Sequence, residues 1–178
     1  IVVSLDDFYL DVTDKRYPRN EKGEPDYEGP EARDLDAIRA MLGNITRGED
    51  FIIPKYEFKT SSRVAERRHS AMPDGCVIIE GLHALNPMIS ESLPADKIKK
   101  MFVSVSTNIN EGEERIISGR KARFVRRMVR DSIYRNASAE RTIQMWQNVL
   151  SAEDIYLYPY KKIADMAFDT FHLYELSV

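Results

Sequence analysis

Short unbroken apolar runs alternate with helical stripes along this chain. Ile1-Val2-Val3-Ser4 predicts a buried strand that ends at Asp6 and Asp7. Cys76-Val77-Ile78-Ile79, introduced by a turn at Pro73-Asp74-Gly75, runs straight into Glu80-Gly81. Strands buried on both faces read this way, and they belong to parallel sheets covered by helices. Met101-Phe102-Val103-Ser104-Val105 and Ala164-Asp165-Met166-Ala167-Phe168 predict two more strands, and Phe51-Ile52-Ile53-Pro54 a short extended piece. Between them the spacing turns helical. Asp34 caps a helix with Leu35, Ile38, Met41, Leu42 and Ile45 on one face and Gly48 at its close. Another helix starts near Gly119, and a third follows an N-cap at Ser138 and runs through Ile143, Trp146 and Leu150. Residues 11–33, rich in Pro, Gly and charge, predict an excursion over the surface. Strands separated by helices make an α/β domain with a mainly parallel sheet.

The 178 residues, 43% hydrophobic and 31% charged, suffice for one domain with a real core and are too few for two. No apolar run nears the roughly 18 residues of a membrane span. The chain opens inside an apolar run with no charged leader and no initiator methionine, which suggests sequence upstream. The lone cysteine, Cys76, forms no internal disulfide, and its apolar neighbours predict a buried, inert thiol. These features fit a cytoplasmic protein.

Charge changes the picture more. The net −3 conceals a block in which Arg120, Lys121, Arg123, Arg126, Arg127, Arg130 and Arg135 face Asp131 alone, a local +6 that leaves −9 elsewhere. A basic block in an acidic protein argues for a specific anionic ligand, and against nucleic acid as a partner. Arg120, Arg123, Arg127 and Arg130 recur at helical spacing, with Phe124, Val125, Met128 and Val129 on the apolar side. They make either one solvated face or a set of phosphate contacts. Their nearly uniform sign favours phosphate, with Arg123 or Arg126 left to solvent.

Two carboxylate sites, Asp6 and Glu80, fall just past strand ends, where ligands bind in open parallel sheets. Such an acid either caps the following helix or takes a hydroxyl proton or holds a magnesium ion; two strand ends of the same chemistry favour a site. Tyr56, Phe58 and Arg63 lie in a stretch too polar for core, where aromatics either stack on a ligand ring or anchor a loop. His69, His83 and His172 show no ligand spacing, and one cysteine makes no zinc site.

These residues together resemble the uridine kinase/phosphoribulokinase family of P-loop kinases. Ser4-Leu5-Asp6-Asp7-Phe8-Tyr9 is similar to its S-x-D-x-F-Y signature, and Tyr27-Glu28-Gly29-Pro30-Glu31-Ala32 to its aromatic-acid-x-Pro segment. Ile53-Pro54-Lys55-Tyr56-Glu57-Phe58 through Ser62-Arg63 resembles I-P-x-Y-x-F…S-R, Val77 to Gly81 a Walker B-like strand, and Arg126 to Asp131 the lid motif R-R-x-x-R-D. The stretches from Asn136 to Trp146, Ile155 to Pro159 and Leu173 to Leu176 look most like the branch often joined to an N-terminal TGS-type domain.

The resemblance implies a P-loop NTPase-type three-layer fold over residues 1–178, with an arginine-bearing helical lid within about 106–137. It implies γ-phosphoryl transfer from ATP, with Mg²⁺, to a hydroxyl of a uridine- or cytidine-like nucleoside or a related small molecule; a homo-oligomer is compatible with it. Asp6 would be the catalytic base and Glu80 part of the magnesium shell. Tyr9, Glu28, Tyr56, Phe58, Arg63 and Arg127 would lie around the acceptor, and Arg130 and Arg135 over the ATP phosphates. The chain departs from the family at Ser61, where a histidine commonly reads the pyrimidine, and at Ala137 and Met145, two further base-side positions. None of the eight glycines is followed by lysine, so no G-x-x-x-x-G-K-[ST] loop occurs; the family's order places it upstream of Ile1. Phosphoribulokinase- or pantothenate kinase-like chemistry, and a catalytically silent nucleotide-binding or regulatory module, stay open beside the nucleoside kinase.

Overall fold

A computed structural model describes residues 1–178 apart from 72–74, 92, 136, 173 and 175–178. The strands are β1 (Val2–Ser4), β2 (Phe51–Glu57), β3 (Ser62–His69), β4 (Ile78–Glu80), β5 (Met101–Ser104), β6 (Ile109–Glu111), β7 (Glu114–Ile117) and β8 (Met166–Asp169). The α-helices are α1 (Leu35–Arg47), α2 (Pro87–Ser90), α3 (Gly119–Tyr134) and α4 (Ala139–Tyr156). β1 pairs with β4 and β5 with β8, both in parallel, while β2–β3 and β6–β7 are antiparallel hairpins. The result is the mixed α/β architecture that the alternating patterns predict. Part of the predicted turn, Pro73 and Asp74, lies outside the described residues, as does Asn136.

The helix ends form where their capping chemistry sits. The Asp34 side chain accepts from the Ala37 amide, and α1 ends at Gly48, whose φ of 71° is the left-handed conformation a C-terminal cap needs. Ser118 and Ser138 cap α3 and α4 through the amides of Lys121 and Arg141. α1 lays Ile38, Met41 and Leu42 against Val3, Leu5, Phe8, Phe51, Ile53 and Ile89 in the main core. A smaller cluster of Tyr9, Leu10, Tyr17, Ala32 and Tyr56 shows that the surface excursion folds back onto the domain. Gly119 marks a close approach: a Cβ there would overlap the carbonyl oxygen of Val105, so α3 starts directly against the end of β5.

Several expectations need correcting. β1 and β4 are covered on one face only, with Val2 66% and Ile78 56% exposed, because no element among the described residues packs over the other. Met101, Val103, Met166 and Phe168 are likewise exposed on β5 and β8. Cys76 is exposed, since it precedes β4 on this open side and gives its carbonyl to the Ile1 amino group. Val125 and Val129 of α3 stand in solvent rather than against a core. β3 and the β6–β7 hairpin carry too many polar residues to be seen as strands in the sequence. Among the described residues no helix is long and apolar enough to cross a membrane.

Candidate active site

The register of β1 on β4 sets Ser4 opposite Glu80, so the two acidic strand ends open on one edge. Asp6 sits two residues beyond β1 in a tight turn, where its own amide donates to the Ser4 hydroxyl. Its Oδ1 accepts from Arg33 Nη2 at 3.3 Å, and its Oδ2 lies 3.7 Å from Arg135 Nη2. Asp7 points elsewhere. It pairs with Lys55 at 3.3 Å and Arg67 at 2.8 Å and accepts from the Tyr56 amide, which fastens the β2–β3 hairpin to the turn. The geometry thus separates neighbouring aspartates, one facing the arginine-rich opening and one holding structure.

Beside Asp6, three successive backbone carbonyls are gripped by three side chains from different elements. The Tyr9 hydroxyl donates to the Tyr27 carbonyl at 2.9 Å, His83 Nε2 lies 2.9 Å from that of Glu28, and Arg33 Nη1 donates to that of Gly29 at 3.1 Å. Arg33 Nη2 also donates to the Tyr9 hydroxyl at 2.8 Å, and its Cζ lies 4.2 Å above the Tyr9 ring. Burial pushes the Tyr9 phenol up to about 12, against the pull of Arg33, so it remains a neutral donor. Burial pushes His83 down to about 4, helped by Arg33; a neutral ring facing a carbonyl carries its proton on Nε2. Burial also raises Glu28, with Arg127 and Arg33 opposing.

The predicted aromatic positions come together. Ring centroids of Tyr9, Tyr56 and Phe58 lie 5.2–5.8 Å apart. Tyr9 and Tyr56 are buried, so Phe58 offers the open ring surface, and Arg135 lies 4.8 Å over it. Arg63 is used within the fold: it donates to the Phe8 and Tyr9 carbonyls and pairs with Asp34.

The arginine block divides in two. Arg120 pairs with Asp154 and Arg123 with Glu153 at 2.5 Å, while Phe124 meets Trp146 at 5.0 Å, so this half fastens α3 to α4. Arg126 donates to Thr170 after β8. Arg127, Arg130 and Arg135 gather instead on buried Asp131, at 3.2, 3.0 and 3.7 Å. Three cations around one anion leave an excess of positive charge beside Asp6. A cavity of about 340 Å³ opens next to them, lined by Arg123, Arg126, Arg127, Arg130, Trp146 and the end of β5. Glu80 stands exposed at its strand end. Among the described residues no three ligating side chains cluster, so a protein-only metal cage is absent there. One or two carboxylates completed by water and phosphate oxygens suit magnesium, and Glu80 offers one.

Arg33, His83 and Asp131 were not singled out as site residues by the sequence. Arg33 is a single cation beside a helix cap, and His83 follows Glu80 by three residues without a partner in the chain, so neither carries a periodic signal.

The fold is shared with the solved structure of the YGR205w protein, at a TM-score of 0.60 and 16% identity over 94% of this chain and 73% of that one. The chain belongs to the phosphoribulokinase/uridine kinase family, whose model matches residues 1–177. Relatives include a uridine kinase of Deinococcus deserti, 26% identical over 93% of this chain and 71% of its own. A uridine-cytidine kinase 2-B of Danio rerio is 27% identical over 93% of this chain, which spans only 58% of that protein.

Proposed function

We propose that the protein is a cytoplasmic ATP-dependent kinase that phosphorylates a hydroxyl of a uridine- or cytidine-like nucleoside or a related small alcohol. The observation that carries this reading is the position of Asp6: a strand-end carboxylate on the same edge as Glu80, facing the arginines gathered on Asp131. Asp6 takes the acceptor's hydroxyl proton as its oxygen attacks the γ-phosphorus in line. The bond from that phosphorus to the β,γ-bridging oxygen breaks, and ADP leaves. Arg130 and Arg135 hold the ATP phosphates, and Arg127 reaches between phosphate and acceptor. Glu28 accepts from acceptor hydroxyls, Phe58 covers its ring or carbon face, and Tyr9 and Tyr56 back that wall. Arg63 contributes by fixing the backbone of Phe8 and Tyr9. Glu80, together with phosphate oxygens, would hold magnesium, whose charge would offset that on the transferring group.

The reaction also needs a backbone nest and a lysine around the β- and γ-phosphates. Residues 1–178 contain no G-x-x-x-x-G-K-[ST] sequence to provide them. Ser61, Ala137 and Met145 offer little to a pyrimidine edge, so discrimination among nucleosides stays modest, within about a hundredfold. Incubating the complete natural protein with ATP, magnesium and a panel of nucleosides, sugars and pantothenate tests the proposal, with nucleoside monophosphate expected. ATP binding without transfer to any acceptor supports the second reading, a silent nucleotide-binding module.

A further inference from the structure

We infer that Arg33 is a positioning residue that ties the proposed base Asp6 to the loop carrying Glu28. One buried guanidinium would then set both the proton acceptor and the carboxylate beside the acceptor's hydroxyls. The inference rests on the phosphotransfer reading above. Its starting point is a cation where cations are costly: the Arg33 side chain is 4% exposed. A buried charge persists when it is paired and hydrogen-bonded, and the bonds of its two terminal nitrogens all lie within the site, while Nε is buried without a hydrogen-bond partner among the described residues. Nη2 reaches Asp6 Oδ1 at 3.3 Å and the Tyr9 hydroxyl at 2.8 Å, while Nη1 reaches the Gly29 carbonyl at 3.1 Å. Among the described residues Asp6 is the only carboxylate in an ion pair with it.

The arrangement fixes which oxygen of Asp6 works. Arg33 occupies Oδ1 from the buried side. Oδ2 faces Arg135, a longer contact of 3.7 Å from a partly exposed side chain. When Arg135 turns to phosphate, Oδ2 is released to the acceptor while Oδ1 stays held. The same guanidinium holds the Gly29 carbonyl, one residue from Glu28, so the spacing between the two carboxylates depends on its planar fork. A lysine, with one nitrogen, cannot span these partners.

The test uses Arg33→Gln and Arg33→Lys in the complete protein, each alone and combined with Asp6→Asn, with uridine as acceptor probe. Arg33→Gln is expected to lower kcat/KM for uridine about 10- to 100-fold, the scale of a misplaced catalytic group. The KM for ATP should stay within about twofold, and Arg33→Lys should recover only part of the loss. In the Asp6→Asn background the further loss should be smaller than in the natural protein, because the part that acts through Asp6 is already gone and only the hold on the Glu28 loop remains. A full repeat of the loss in that background overturns the positioning role. Melting temperatures of the natural protein, Arg33→Gln, Asp6→Asn and the variant carrying both need no acceptor. Losses that fall short of additive support the tie, and strictly additive losses overturn it. If the natural protein phosphorylates nothing, the kinase reading falls, and the melting cycle still decides whether Arg33 and Asp6 are joined.

Discussion

Acidifying the solution should destabilise the fold through the buried imidazole of His83. His83 is fully buried, its Nε2 held to that carbonyl and its ring edge-on to Tyr156. Arg33, Asp6 and the Glu28 backbone are the polar groups that face it. Its pKa falls from 6.5 to about 4, chiefly because burial penalises the imidazolium and then because Arg33 repels it. The unfolded chain therefore takes up the proton first. Stability from this group is complete above about pH 6.5 and is lost as the pH falls toward 4. Between pH 7.5 and 4.5 the loss comes to about 2–3 kcal/mol, or about 5–10 °C of melting temperature for a domain of this size. Carboxylates titrate in the same range, so the measurement is a difference: thermal melts of natural protein and His83→Gln at both pH values. Glutamine keeps an Nε2–H donor and cannot be protonated, so the variant should show a smaller acid-induced drop by about that amount. Equal drops in the two proteins would falsify the assignment of a buried neutral His83.

Asp6→Asn should cut turnover about a hundredfold or more while ATP binding stays nearly intact; Asp7→Asn should instead cost about 1 kcal/mol of stability through its links to Lys55 and Arg67, with turnover little changed. The reverse pattern in steady-state kinetics and urea melts would mean that the roles of the two aspartates are exchanged. Arg130→Ala and Arg135→Ala should raise the KM for ATP more than that for the acceptor. Arg135 also touches Phe58 and Asp6, so a change confined to the acceptor term would move it to that side of the site. Gly119→Ala forces a methyl against the Val105 carbonyl and should cost about 1–3 kcal/mol in a denaturant titration. An unshifted midpoint would mean that α3 does not start so close to β5.

The legible parts of this protein were those set by local chemistry. Asp34 and Ser138 cap helices because a side-chain oxygen can satisfy the open amides after it, and the run Val2–Ser4 is a strand because its apolar residues need a sheet. The acids at strand ends were legible for the same reason, since Asp6 and Glu80 interrupt apolar runs. What required the fold was the choice among partners. Arg123 and Arg127 look alike in the sequence, yet one meets Glu153 of α4 and the other Asp131 of its own helix. β3 was hidden because Arg63, Glu66, Arg67 and Arg68 give it no apolar alternation; its pairing with β2 is made by the backbone. Burial of Ile78 was overestimated because an apolar run reports preference, while exposure depends on what packs above it. Arg33 was illegible for the opposite reason: its value comes from Asp6, 27 positions away.

The placement of Gly119 has a mechanical consequence for α3. That helix is fixed where it starts, against Val105, and its ion pairs to α4 lie in its first turns, at Arg120 and Arg123. Its 16 residues then extend about 24 Å to the end that carries Arg130 and leads into Arg135. This is a lever with its fulcrum at Gly119. A swing of about 10° barely disturbs the contacts near the fulcrum, yet by the same helix rise it displaces the far end by about 4 Å. That is as long as the 3.7 Å contact between Arg135 and Asp6. A small rotation at a single glycine would therefore move Arg135 by the length of its contact with Asp6 once the Arg126 links to Thr170 also give.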